Sequence, residues 1–118
     1  MKLSLKNNSI TELQLGTFNE LINLKTLILS SNNLKFLDGQ LLQFNNNLVL
    51  LLINQNKLNE IGADILNYST KLSKADFSDN NCIDKNSADT NMEHVIDKIK
   101  THCNLLEKFD YLGSIIES

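Results

Sequence analysis

Apolar residues recur every 24 positions along residues 1–82. Three of the columns formed in this way are Leu3, Leu27, Leu51 and Ala75; Leu5, Leu29, Ile53 and Phe77; and Ile10, Leu34, Leu58 and Cys82. In each LxL unit the two apolar side chains point the same way from a short strand, so each coil presents a pair that only the next coil can cover. The pattern therefore predicts similar coils stacked on one another.

An asparagine column keeps the same register through Asn8, Asn32, Asn56 and Asn80. The asparagine falls where the chain turns out of the strand, and its amide can bond backbone N–H and C=O groups of adjacent coils. Leaving such groups buried and unpaired costs about 1–3 kcal/mol each. We therefore interpret the column as a structural ladder and not as a binding site.

Two segments, LKTLILSSNNL at 24–34 and LVLLLINQNKL at 48–58, resemble the LxxLxLxxNxL signature of leucine-rich repeats. The resemblance covers residues 1–82, and the 24-residue period is similar to that of the extracellular class. It implies an α/β fold: a horseshoe solenoid with a short-stranded parallel β-sheet on its concave face and a helical carboxy-terminal cap. We expect about three and a half repeats over residues 1–81 and the cap over residues 82–118.

Residue 1 falls inside a repeat, so the pattern begins at a strand whose core side no earlier coil covers. Solenoids need caps at both ends. We therefore expect the chain to be part of a longer protein. The alternative is that the uncapped first strand pairs with another copy of the chain.

In the resembled family the usual contact surface is the concave sheet, at the variable positions between the strand leucines. The resemblance implies partner-binding residues at Thr26, Ile28, Ser30, Leu50, Leu52, Asn54, Lys74 and Asp76. Because strands lie about 4.8 Å apart, Ile28, Leu50 and Leu52 should form one apolar patch with a polar rim, as protein contact sites do. The alternative is that these residues are present only because they favour β-strands, or that other parts of the protein cover them.

After Asn80 the rhythm becomes helical. Thr90 followed by Glu93 predicts a capping box and a helix near 91–103. Its apolar face contains Met92, Val95, Ile96 and Ile99. A second helix is predicted in the tail, where Leu105, Phe109, Leu112 and Ile116 follow helical spacing.

The predicted cap helix carries Cys103, and Cys82 occupies a core-facing column of the last repeat. Packing the helix over that repeat can bring the two thiols together in a disulfide that stabilises the cap by roughly 3 kcal/mol and implies an oxidising compartment. This is similar to the cysteine-bearing cap of secreted and cell-surface leucine-rich-repeat proteins such as those of arthropods, although that pattern has four cysteines. The alternative is two free thiols in a cytosolic protein.

Two triplets, Asn67-Tyr68-Ser69 and Asn7-Asn8-Ser9, satisfy the N-glycosylation rule. Asn67 falls on a predicted outer loop, whereas Asn7 lies beside the first strand. Both triplets favour the secretory route over a cytoplasmic location.

Composition and charge argue against other function classes. The chain has a net charge of −3 and contains no arginine, so it lacks the clustered basic residues of a nucleic-acid-binding protein. No apolar run approaches the roughly 18 residues that span a bilayer. His94 and His102 lie in no known catalytic or zinc-binding arrangement, so we expect neither an enzyme, nor a metal, nor a cofactor.

These observations predict a non-catalytic protein-protein recognition module that is secreted or on a cell surface. By resemblance its role would lie in innate immunity or adhesion. The alternative is an intracellular adaptor or scaffold that uses the same surface.

Overall fold

The computed structural model describes residues 1–88 and 90–104, which form two parallel sheets and a helical segment. The larger sheet contains, in spatial order, β1 (Lys2–Ser4), β2 (Thr26–Ile28), β4 (Leu50–Leu52) and β6 (Lys74–Asp76). The smaller sheet pairs β3 (Phe36–Leu37) with β5 (Glu60–Ile61). Helix α1 (Met92–Lys98) continues as a π-helical turn over Ile99–Cys103. The predicted α/β fold with a short-stranded parallel sheet is confirmed.

The larger sheet has the period of the sequence, since paired residues on neighbouring strands are 24 positions apart. One such row is Leu3, Leu27, Leu51 and Ala75. In β2, β4 and β6 the middle residue is fully buried and the residues on either side of it are more exposed. Each of these strands therefore directs its middle side chain into the core and its flanking side chains outward.

We call each 24-residue repeat of the chain, which contributes one strand to the larger sheet, a coil. One hydrophobic core runs through successive coils and into the helical segment. Its fully buried members include Leu29, Leu51 and Phe77 of successive coils. Each such side chain contributes on the order of 1.5–3 kcal/mol of transfer free energy. In the first coil Leu3 and Leu5 are only partly buried, whereas the helical segment covers the last coil.

The chain closes the edge of β6 after Asn80. Asn86 makes an antiparallel bridge to Asp76. The Ser87 N–H donates to the Ala75 carbonyl at 2.9 Å, and the Ser87 hydroxyl accepts from the Ala75 N–H at 2.9 Å. The backbone N–H and carbonyl of Ala75 at the outer edge of β6 are thereby hydrogen-bonded, so this edge of the sheet is not open to a further strand.

The helical segment packs its apolar face on the last coil, where Val95, Ile99 and Cys103 are buried. A disulfide joins Cys82 to Cys103, with their Cα atoms 5.2 Å apart. The wider turn after Lys98 keeps both Ile99 and Cys103 in the core, so the predicted helix near 91–103 is present but is α-helical only as far as Lys98.

The predicted capping box at Thr90 and Glu93 is wrong, because the N-cap residue of α1 is Asn91. Asn91 has extended backbone, and its side-chain oxygen accepts a hydrogen bond from the His94 N–H at 2.9 Å. Thr90 instead contacts the His94 ring through its hydroxyl at 2.6 Å. An asparagine N-cap satisfies a free backbone amide of the first turn, as a threonine N-cap would. The helix therefore begins one residue later than the capping box predicted. The predicted tail helix lies outside the described residues.

Two glycines bring the backbones of adjacent coils together beyond the smaller sheet. A Cβ added to Gly62 would overlap the backbone of Gly39, whereas a Cβ added to Gly39 would meet its nearest neighbour, the Gly62 Cα, at 3.4 Å. The Gly62 N–H also donates to the Leu37 carbonyl at 2.9 Å. Close approach therefore requires glycine at position 62 and not at position 39.

The Gly62→Ala substitution is expected to lower the free energy of unfolding by about 2 kcal/mol, because the new methyl group must push two coils apart. The matched Gly39→Ala substitution adds the same methyl group in ordinary contact and should change it by less than about 0.5 kcal/mol. Urea unfolding followed by circular dichroism measures both values. Equal losses in the two variants would contradict the asymmetric contact.

Every helix in the part of the chain that the structure describes is too short or too polar to cross a membrane.

Candidate protein-interaction face

Hydrogen bonds from the asparagine column tie each coil to its neighbours. Asn56 Nδ2 donates to the Leu29 carbonyl of the preceding coil at 3.0 Å and to the Ile53 carbonyl of its own coil at 3.3 Å. Its Oδ1 accepts from the Leu34 N–H at 3.1 Å. The same pattern occurs at Asn32 and Asn80. These bonds fix the ends of the strands relative to one another.

The residue before each of these asparagines has a left-handed backbone, which the sequence analysis missed. The φ angles are 59° at Asn7, 58° at Ser31, 58° at Gln55 and 56° at Asp79. Asparagine and aspartate tolerate this region, but serine and glutamine adopt it less readily. The left-handed turn leads the chain out of each strand, and because its residue type varies, no column of the sequence marks it.

A second asparagine set, Asn45–Asn47, was also missed. Asn45 is fully buried, and its Nδ2 donates to the carbonyls of Phe18 and Leu21, both at 3.0 Å. Asn46 and Asn47 bond carbonyls of the following and the preceding coil, respectively. Three consecutive asparagines are visible in the sequence. Their role could not be predicted, because it depends on which backbone carbonyls of neighbouring coils lie within hydrogen-bond distance in the folded chain.

The outward positions of the four strands form three rows, which we call the sheet face. The first two rows are Lys2, Thr26, Leu50 and Lys74, and Ser4, Ile28, Leu52 and Asp76. The third row, just beyond the strands, is Lys6, Ser30, Asn54 and Ser78. Strand pairing thus brings the residues that were predicted to bind a partner, with the exception of Ser30, onto one surface.

Three aliphatic residues form the centre of the sheet face, and we call them the apolar patch. Ile28 pairs with Leu52 on the adjacent strand, and Leu50 lies two residues before Leu52 on the same side of β4. All three side chains are partly exposed. With strands about 4.8 Å apart, they form one continuous aliphatic surface.

Ser30 differs from the other predicted partner-binding residues because it is only 3% exposed. Its hydroxyl donates to Asn54 Oδ1 at 2.6 Å. Ser30 is therefore not on the accessible surface. Its hydrogen bond links the turns of two neighbouring coils. Asn54 remains partly exposed beside it.

The family model described as "Leucine rich repeat" matches residues 1–58, which include β1, β2 and β4. The chain belongs to the leucine-rich-repeat family. Domains of this family generally mediate protein-protein interactions and are typically non-catalytic. A search among curated proteins finds no match to this leucine-rich-repeat chain.

Both predicted glycosylation residues of the leucine-rich-repeat chain are exposed. Asn67 Nδ2 donates to Asp64 Oδ1 at 2.9 Å. Asn7 lies at the tip of the first left-handed turn. Solvent therefore reaches both side chains in the folded protein.

Histidine, cysteine and carboxylate side chains do not converge in the described ranges, where no group of three or more of them is able to hold a metal ion. Both histidines are exposed on the helical segment, and each contacts a threonine hydroxyl, that of Thr90 for His94 and that of Thr101 for His102.

Proposed function

We propose that this leucine-rich-repeat protein is a non-catalytic recognition module that binds a protein partner through its sheet face. The observation that carries the proposal is the apolar patch of Ile28, Leu50 and Leu52 on the outward side of the sheet. Protein interfaces combine an apolar centre, which loses water on binding, with a polar rim. Thr26, Asn54, Lys74 and Asp76 supply that rim, with Ser30 beneath it as support.

We further propose that the coils form a curved solenoid with the sheet face on its concave side, consisting of repeats over residues 1–81 and a cap over residues 82–118. The one-coil register of the parallel strands supports the repeated part. The antiparallel return at Asn86 and the change to helix support the cap. A concave sheet surrounds part of a partner and so increases the contact area of each side chain.

Double substitution of Ile28 and Leu52 by aspartate is expected to abolish partner binding while leaving the fold intact, because both side chains are already partly in water. A photo-crosslinking residue at position 50 reports contact, and it should form a partner adduct in the parent protein but not in the variant. The thermal midpoint of unfolding should fall by no more than a few degrees.

The control is Phe44→Asp, which adds one aspartate at an exposed aromatic residue outside the sheet face. It should leave the adduct unchanged. Adducts that survive Ile28→Asp/Leu52→Asp, or that Phe44→Asp removes, would contradict binding through the apolar patch.

We place the module outside the cell or on its surface, in a recognition role such as immunity or adhesion. The Cys82–Cys103 disulfide and the exposed Asn67 and Asn7 of two glycosylation triplets support this location. An intracellular adaptor is the alternative, since leucine-rich repeats also occur inside cells. Freely labelled thiols and an unmodified Asn67 in protein from its native source would favour the adaptor.

A second mode of association, between copies of the chain, is proposed through β1. This strand lies at the edge of the larger sheet, whereas at the opposite edge Asp76 of β6 makes an antiparallel bridge to Asn86 and Ala75 bonds Ser87. Edge strands offer unpaired backbone groups to other chains. A monomer at all concentrations in sedimentation equilibrium would contradict this mode.

A further inference from the structure

Charge is distributed unevenly over the chain. The sheet face carries the cations Lys2, Lys6 and Lys74, all exposed, and one anion, Asp76. Asp76 is partly engaged, because one of its carboxylate oxygens accepts from both the N–H and the hydroxyl of Ser78, at 2.9 and 2.6 Å. The sheet face is therefore locally positive on a chain whose net charge is −3.

Acidic side chains concentrate on the segments of each coil that lie away from the larger sheet. They are Glu12, Glu20, Asp38, Glu60 and Asp64. The same segments also carry three cations, Lys35, Lys57 and Lys71, so the five acidic side chains exceed the basic ones there by two. The Lys71 ammonium donates to Asn47 Oδ1 at 2.8 Å. An acidic partner is thus attracted to the sheet face and repelled from the far side of the same molecule, which favours one binding orientation.

The cations flank the apolar patch in a defined order. One row across the strands reads Lys2, Thr26, Leu50 and Lys74. With strands about 4.8 Å apart, the two lysine positions are about 14 Å from each other, and the patch lies between them. An extended peptide advances about 3.3 Å per residue and presents every second side chain to the same surface, so residues i and i+4 lie about 13 Å apart.

We propose that the sheet face recognises an extended protein segment with acidic residues at positions i and i+4 and an aliphatic or aromatic residue at i+2. The acidic side chains pair with Lys2 and Lys74, and the apolar side chain packs on Ile28, Leu50 and Leu52. This inference rests on the proposed binding function and adds the chemistry of the partner.

A random peptide library displayed on phage tests the inference with the full, oxidised chain as bait and the uncharged Ile28→Ser/Leu52→Ser variant for counter-selection. We expect patch-dependent peptides to be enriched in acidic residues four positions apart around an apolar residue. Enrichment of patch-dependent peptides without acidic residues would overturn the inference and leave the proposed function standing. Recovery of no patch-dependent peptide would also overturn the inference, whereas the proposed function is decided separately by the crosslink at position 50.

Charge reversal then tests the pairing with the strongest selected peptide, synthesised and followed by fluorescence anisotropy. Lys2→Glu/Lys74→Glu should weaken its affinity by about tenfold or more, because like charges then face each other across the interface. Lys35→Glu/Lys57→Glu changes the net charge equally at exposed lysines outside the sheet face, and should alter the affinity by less than about twofold. Similar losses in both double variants would overturn the specific pairing and leave only long-range attraction.

Discussion

Replacing Asn56 with leucine is expected to lower the free energy of unfolding by about 3 kcal/mol, although the two side chains have similar size. Asn56 is only 7% exposed and bonds the carbonyls of Leu29 and Ile53 and the N–H of Leu34. Leucine leaves these backbone groups buried without partners. Urea unfolding monitored by circular dichroism measures the loss directly.

The matched control is Asn8→Leu, at the same position in the first coil. Asn8 is exposed, and among the residues that the structure describes its side chain bonds the carbonyls of Leu5 and Lys6 in its own coil. Water replaces these bonds when the amide is removed, so the loss should stay below about 1 kcal/mol. Equal losses at both positions would show that coil-to-coil bonding contributes little to stability.

Reduction of the Cys82–Cys103 disulfide is expected to destabilise the helical segment by about 3 kcal/mol, since the bond closes a loop of sequence separation 21. The helical segment adds only Val95, Ile99 and Cys103 to the fully buried core. Without the covalent link this small contact must hold the segment alone. Native-state hydrogen exchange should show that the amides of α1 lose protection while those of β2 and β4 keep it.

The double variant Cys82→Ala/Cys103→Ala separates the bond from the reductant. It should exchange like the reduced parent protein, and adding reductant should change it no further. Unchanged protection of α1 after reduction would show that packing alone holds the helical segment on the last coil. Thiol alkylation of protein from its native source, before and after reduction, reports whether the bond forms there.

Much of the fold was predictable because its signals are local and repeated. The 24-residue columns placed Leu27, Leu51 and Ala75 in one row, and strand pairing puts them there. The apolar character of Ile28 and Leu52 on the sheet face followed from the same register. Burial of Ser30 did not, because it depends on the hydrogen bond to Asn54 across neighbouring coils.

The sequence by itself determined the coil register, the asparagine column and the position of Cys82, because each coil presents the same side chains to the next. It also placed Cys103 on the core side, because this residue continues the apolar face of the predicted helix. Only the tertiary structure decided the pairing of β3 with β5, the need for glycine at position 62 and the choice of Asn91 as the N-cap residue of α1. These features depend on backbone angles and on the distance between coils, which the order of polar and apolar residues does not encode. The charge division between the sheet face and the far side also becomes visible only when the strands are aligned.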